Sequence, residues 1–225
     1  MATTNGAGRR RDYFAARQAM VRNQIQARGL TDTRVLRAMG EIPRHLFVAP
    51  EWQNEAYSDR PLPIDAGQTI SQPYIVAMMI ASLSLPDQAR VLEVGTGSGY
   101  QAAVLSRIAA QVYSMEYFPI LADQARTLLR RLGYTNVEVV AGDGSLGLPQ
   151  YAPYDGIIVP AAAPRIPPAL IEQLGTGRRL VIPVGEATDQ DMLIVTKHDA
   201  APTIERSVPC RFVPLRGQEG WREPC

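Results

Sequence analysis

Between residues 90 and 184 the chain alternates short apolar runs with helical segments, and this alternation constrains the fold more than any other feature. Residues 90–94, 111–115, 137–141, 154–159 and 178–184 read as buried strands. Residues 99–109, 119–132 and 167–174 read as helices between them. In the second of these, Leu121, Ala125, Leu128 and Leu132 recur at helical spacing. Strands separated by helices imply a mostly parallel sheet with helices on both faces, an α/β fold. Residues 192–197 and 204–213 lack an intervening helix and are expected to close the sheet as an antiparallel hairpin. In such sheets ligands bind beyond the carboxyl ends of the strands, near the reversal of strand order.

The region before residue 89 follows a different plan. Residues 13–28 carry Phe14, Val21 and Ile25 on one helical face, and Gly29 is placed to end that helix. A second helix is expected over 32–39, with Thr31 or Asp32 as its N-cap. Residues 41–70 hold four prolines and no sustained period, so a long irregular segment is expected. A helix over 71–83 follows, with Ile75, Met79 and Leu83 four residues apart. The expected organisation is a disordered tail over 1–11 and one domain over 12–225. Residues 12–88 supply helices and a substrate and cofactor loop, and 89–225 the doubly wound core.

Composition narrows the function class. A net charge of +1 gives no field to draw nucleic acid or an anionic membrane. Arg9, Arg10 and Arg11 read as part of a solvated tail. No run approaches ~18 apolar residues, so no membrane span is expected. The first residues lack an apolar h-region, so no signal peptide is expected either. Cys210 and Cys225 match no metal-site spacing, and a reducing, cytoplasmic location is the reading.

Val91-Leu92-Glu93-Val94-Gly95-Thr96-Gly97-Ser98-Gly99-Tyr100 is a strand, a glycine-rich turn and a helix start. Glycines there permit a sharp turn and close approach of a ligand to the backbone. A pyrophosphate site wants G-x-G-x-x-G. This chain has G-x-G-x-G, with Glu93 two positions before the first glycine. An acid there repels pyrophosphate but suits the ammonium of S-adenosylmethionine, directly or through water. Glu116 ends the second strand, where a carboxylate can accept from ribose hydroxyls. Asp143 follows the third, where it can accept from an adenine amino group. Any one of these acids also fits a solvated strand end; three in succession favour a nucleoside site.

These residues belong to a longer pattern that resembles the protein-L-isoaspartate O-methyltransferase family over about residues 18–216. Its most specific block is Gly67-Gln68-Thr69-Ile70-Ser71-Gln72-Pro73-Tyr74, preceded by Pro43-Arg44-His45-Leu46-Phe47-Val48. Gly142-Asp143-Gly144, Tyr154-Asp155-Gly156-Ile157-Ile158-Val159, Ala161-Ala162-Ala163-Pro164, Leu180-Val181-Ile182-Pro183-Val184-Gly185 and Arg211-Phe212-Val213-Pro214-Leu215 complete it. Pro160 departs from the pattern, standing where the family has threonine or glycine, and no role is assigned to it.

The resemblance implies a Rossmann-like S-adenosylmethionine-dependent methyltransferase fold. It implies methyl transfer to the α-carboxylate of L-isoaspartyl residues in damaged proteins and peptides, by a monomer. Ser71 is then the catalytic-site residue, although on spacing alone it reads first as a plain helix N-cap. Cofactor binding falls to Gln68, Thr69, Ile70, Glu93, Gly95, Thr96, Gly97, Ser98, Gly99, Glu116, Gly142 and Asp143. Substrate binding falls to Ser71, Gln72, Val213 and Leu215, and no metal is involved. His45 reads as structural and His198 as a surface residue. The competing readings are a same-fold methyltransferase for another carboxylate or a small molecule, an inactive cofactor-binding regulator, and a nicotinamide oxidoreductase.

Overall fold

The structure is a computed structural model, and it describes residues 12–186 and 188–221. The tail expected over residues 1–11, and Cys225, lie outside the described residues.

Helix α1 (Tyr13–Met20) begins at Asp12, whose side chain accepts from the Phe14 and Ala15 N–H groups. It runs into a π-helical turn, Val21–Ile25, and a 3₁₀ turn, Gln26–Arg28, ending at Gly29 with φ 90°. Helix α2 (Thr33–Glu41) is capped by Asp32, which accepts from Arg34 N–H at 2.9 Å and Val35 N–H at 3.2 Å. The proline-rich segment then folds as short 3₁₀ turns and a minimal hairpin. Its strands β1 (Leu62–Pro63) and β2 (Thr69–Ile70) pair antiparallel. Helix α3 (Pro73–Ser82) starts on proline, whose fixed φ suits a first turn. Its buried Val76, Ala77, Met79 and Ile80 pack against its neighbours.

The core continues with β3 (Arg90–Val94), α4 (Tyr100–Leu105), β4 (Gln111–Glu116), α5 (Pro119–Arg131) and β5 (Val137–Ala141). It ends with β6 (Tyr154–Ile158), α6 (Pro168–Gln173), β7 (Leu174–Gly185), β8 (Gln190–Thr196) and β9 (Thr203–Cys210). The seven strands lie in the order β5-β4-β3-β6-β7-β8-β9. The first five are parallel; β8 and β9 add antiparallel at the edge. Strand β7 begins four residues earlier than its apolar run, at Leu174, and takes in Gly175 and Gly177.

Successive side chains of a strand face opposite ways, so the sheet feeds two cores. Val91, Val112, Ile158 and Val181 join α1–α5 on one face. Leu92, Val94, Met115, Ile157, Leu180 and Ile182 join Leu170 of α6 and the turns at Leu148 and Leu215 on the other. Removing one such side chain, as in Leu92→Ala, costs about 2–5 kcal/mol. The N-terminal helices share the first of these cores with the sheet, so residues before and after 89 are packed as one body.

Candidate active site

From β3 the chain winds outward through β4 to β5, then returns to β6 on the other side of β3. The loops leaving β3 and β6 therefore diverge and open a crevice at the strands' carboxyl ends. Two adjoining cavities occupy it, enclosing about 520 Å³ and about 330 Å³ of space that is partly open to solvent. Thr69, Gly95, Gly97 and Pro160 border both.

The glycine turn forms the floor. Gly95, Gly97 and Gly99 have φ of 112°, 52° and 84°, a region other residues seldom adopt. The N–H groups of Gly95 and Thr96 donate to Met115 O at 2.8 and 3.2 Å, tying the turn to β4. Glu116, 5% exposed, accepts from Gly97 N–H at 2.8 Å and Phe118 N–H at 3.0 Å, one through each oxygen. Each oxygen keeps a second lone pair, and the side chain borders the larger cavity, so it can still accept from a ligand hydroxyl.

Glu93 lies beneath the turn and is fully buried. One oxygen makes a short hydrogen bond with Ser114 Oγ, which is 2.6 Å from Thr96 Oγ1. The other has no partner. Burial pushes its pKa up to about 8, against the pull of the Ser114 hydrogen bond, so Glu93 in this structure is a largely neutral acid at pH 7. Gln101, 6% exposed, faces Glu93 without closing a hydrogen bond; both amide atoms are buried and unpaired. Gln101 also borders the smaller cavity. A buried polar group without a partner is costly. These orphaned donors and acceptors fit a ligand end that carries both an ammonium and a carboxylate.

Ser71 borders the smaller cavity with Thr69, Ile70, Thr96 and Ser98. It is not a helix cap: the N-cap of α3 is Gln72, with no side-chain capping bond. The Ser71 hydroxyl makes no hydrogen bond among the described residues, whereas its carbonyl does. Gln68 borders the larger cavity instead. His45 sits outside both: its Nδ1 is 2.7 Å from Tyr57 Oη, and its ring stacks on Tyr13 at 4.0 Å. His198 is exposed, 3.2 Å from Thr203 Oγ1.

Five expected site residues do not border either cavity: Glu93, buried beneath the turn, and four others. Gly99 is the αL cap of α4, where a Cβ would lie 3.2 Å from a Leu129 methyl. Gln72 is turned away, its amide donating to Asp59 at 2.7 Å. Gly142 donates its N–H to Glu116 O and supports the turn from behind. Asp143 is engaged by the chain itself. Its Oδ1 accepts from Ser145 N–H at 2.9 Å and Ser145 O–H at 2.6 Å, and its Oδ2 from Gln218 N–H at 2.7 Å. Gly217 lies so close that a Cβ there would be 2.0 Å from Oδ1. Asp143 thus clasps the C-terminal segment over the crevice, and Gly144 takes its place on the cavity wall.

Val213 and Leu215 border the larger cavity, with Val213 O and Leu215 N–H already bonded to Ala162, each at 2.8 Å. Sequence reasoning passed over Tyr117, Phe118, Gln101 and Arg216, all on the walls. Tyr117 and Phe118 directly follow Glu116, so an aromatic pair behind a strand-end acid was the available signal. Pro160, left without a role, packs its ring 3.6 Å from where a Gly95 Cβ would stand.

Comparison with known proteins agrees over nearly the whole chain. The sequence profile of the protein-L-isoaspartate(D-aspartate) O-methyltransferase family matches residues 15–220. The protein-L-isoaspartate O-methyltransferase of Methanoculleus marisnigri is 56% identical over 207 residues, covering 92% of this chain and 94% of its own. A solved protein-L-isoaspartate O-methyltransferase superposes with a TM-score of 0.82 at 31% identity, over 91% of this chain and 67% of that one. A Plasmodium falciparum structure described by the same activity, in complex with S-adenosyl-L-homocysteine, has the same fold. Its TM-score is 0.79 at 23% identity, over 89% of this chain and 98% of that one.

Proposed function

The chain belongs to the protein-L-isoaspartate(D-aspartate) O-methyltransferase family, and from that premise we propose that it repairs damaged proteins and peptides by methylating L-isoaspartyl α-carboxylates with S-adenosylmethionine. The observation that carries the reading is a serine hydroxyl with no partner among the described residues, on the wall of a cavity that it shares with the glycine turn.

The bound cofactor supplies an already activated methyl group. The chain's residues hold and orient. Gly95, Thr96, Gly97 and Ser98 let the ligand lie against the backbone, and Glu116 offers its free lone pairs to ribose hydroxyls. Glu93 and Gln101 would meet the amino-acid end, whose ammonium would favour the ionised form of Glu93, the proton being released to water. Thr69 and Ile70 close the wall between the two cavities. The acceptor carboxylate has an ordinary pKa near ~4 and is ionised at pH 7, so no base is required. Ser71 orients that carboxylate by donating a hydrogen bond, and its place in the walled crevice strips the attacking oxygen of water. Val213 and Leu215 border the substrate entrance. Val213 O and Leu215 N–H are committed to Ala162 and Leu215 O to the Trp221 N–H, so Pro214 O is left to accept from a peptide main chain.

The same reading takes residues 12–225 as one catalytic domain acting as a cytoplasmic monomer without nucleic acid. A net charge of +1 and a core that joins the N-terminal helices to the sheet support it. No helix among the described residues is long and apolar enough to cross a membrane.

The test is transfer of a labelled methyl group to matched peptides that differ only in an isoaspartyl or an aspartyl linkage. Labelling confined to the isoaspartyl peptide is the expected result. Equal labelling, or labelling of neither beside a reactive small carboxylic acid, would overturn the substrate assignment.

A further inference from the structure

Arg44 is a fully buried arginine one hydrogen bond from the candidate catalytic serine. Its Nε donates to Ala56 O and its Nη2 to Ser71 O, both at 2.8 Å. Its Nη1 is buried and has no partner among the described residues. No carboxylate forms an ion pair with it among the described residues. The acid that acts on it from a distance, Asp59, is bound to Arg28, Gln72 and the Tyr74 N–H. The guanidinium lies 4.8 Å from the centre of the Tyr100 ring, and Tyr100 borders the same cavity as Ser71.

We propose that Arg44 is a positioning and specificity residue: it pins the Ser71 turn, and its unneutralised charge makes the adjoining cavity select a carboxylate over a neutral group. The inference rests on the reading of Ser71 as the residue that orients the acceptor.

A buried ion without a counterion is expensive, and apolar residues of similar volume often hold a core better. Two carbonyls need only neutral donors. The charge is therefore an excess that tethering does not explain. Burial lowers the Arg44 pKa only to about 10, so the group remains cationic at neutral pH. An anion arriving beside Ser71 supplies the missing counter-charge in a medium where charges are weakly screened. S-adenosylmethionine carries a net positive charge, so this charge favours the acceptor carboxylate over the cofactor.

The experiment compares an isoaspartyl peptide with its analogue bearing a carboxamide in place of the α-carboxylate. Both are titrated into the full-length protein saturated with S-adenosylhomocysteine. Wild type should prefer the carboxylate by roughly tenfold or more. Arg44→Lys should keep the preference while losing turnover, because one tether to Ser71 goes. Arg44→Gln and Arg44→Met should bind both peptides within about twofold, with S-adenosylhomocysteine affinity unchanged or higher. The Gln variant keeps a donor, so it carries the comparison where Met fails to fold. A wild-type preference that survives in a folded neutral variant overturns the proposal alone. A wild type with no preference sinks the Ser71 reading and this proposal with it.

Discussion

Replacing Glu93 by glutamine should make the empty protein more stable at alkaline pH, by an amount that grows between pH 4.5 and 8. The folded chain holds the Glu93 proton up to about pH 8, against 4.5 for an unperturbed group. Between those values the folded state binds more protons than the unfolded one, so unfolding free energy falls as pH rises. At about 1.36 kcal/mol per pH unit the displacement amounts to roughly 5 kcal/mol, an upper figure of the same order as the stability of a whole domain. Glutamine is isosteric, keeps a partner for Ser114 and cannot ionise. Urea unfolding followed by the fluorescence of Trp52 and Trp221, at steps from pH 4.5 to 9, gives the variant-minus-wild-type difference and cancels the other titrating groups. The difference should start small and level off above pH 8. A difference that stays constant, or shrinks with pH, would refute the claim that a buried neutral acid underlies the turn.

Ser71→Ala should cut turnover ~10–100-fold while cofactor affinity by calorimetry stays within about twofold, since removing one positioning hydrogen bond costs the chemical step and not cofactor binding. Equal losses in both would argue for a structural serine. Glu116→Ala frees two backbone N–H groups and removes a cavity wall. It should weaken cofactor binding at least ~10-fold and lower stability by about 1–3 kcal/mol. Asp143→Ala releases the Gln218 N–H and the Ser145 hydroxyl from their clasp. It should destabilise by about 1–3 kcal/mol and also weaken cofactor binding; unaltered calorimetric affinity would leave Asp143 a clasp and nothing more.

The sheet was legible because parallel strands buried on both faces are near-continuous apolar runs with turns between them. The predicted bounds of β3 and β5 match the structure, and those of β4 and β6 differ by one residue. Strand β7 was cut short because Gly175 and Gly177 look like a helix stop, whereas its first residues pair with β6 at Tyr154. The π-helical turn at Val21–Ile25 carries no distinct sequence sign. At the site, position along the chain was readable and direction was not. Glu93, Glu116 and Asp143 each follow or end a strand as expected. Whether each side chain faces a ligand depends on Ser114, on the Gly97 and Phe118 amides, and on Gln218, 75 residues from Asp143. Gln72 looked like a pocket residue for the same reason, until Asp59 of the irregular segment claimed its amide. Arg44 stood in the quoted family pattern, yet its reach to Ser71 spans 27 residues and passes through an irregular segment with no period to project.

A crystal structure of the protein soaked with S-adenosylmethionine addresses the central claim most directly. The account predicts the nucleoside in the crevice between β3 and β6, with its sulfonium above the Gly95–Gly97 turn and the methyl group facing Ser71. Density elsewhere on the molecule, or a methyl group directed away from that hydroxyl, would contradict it.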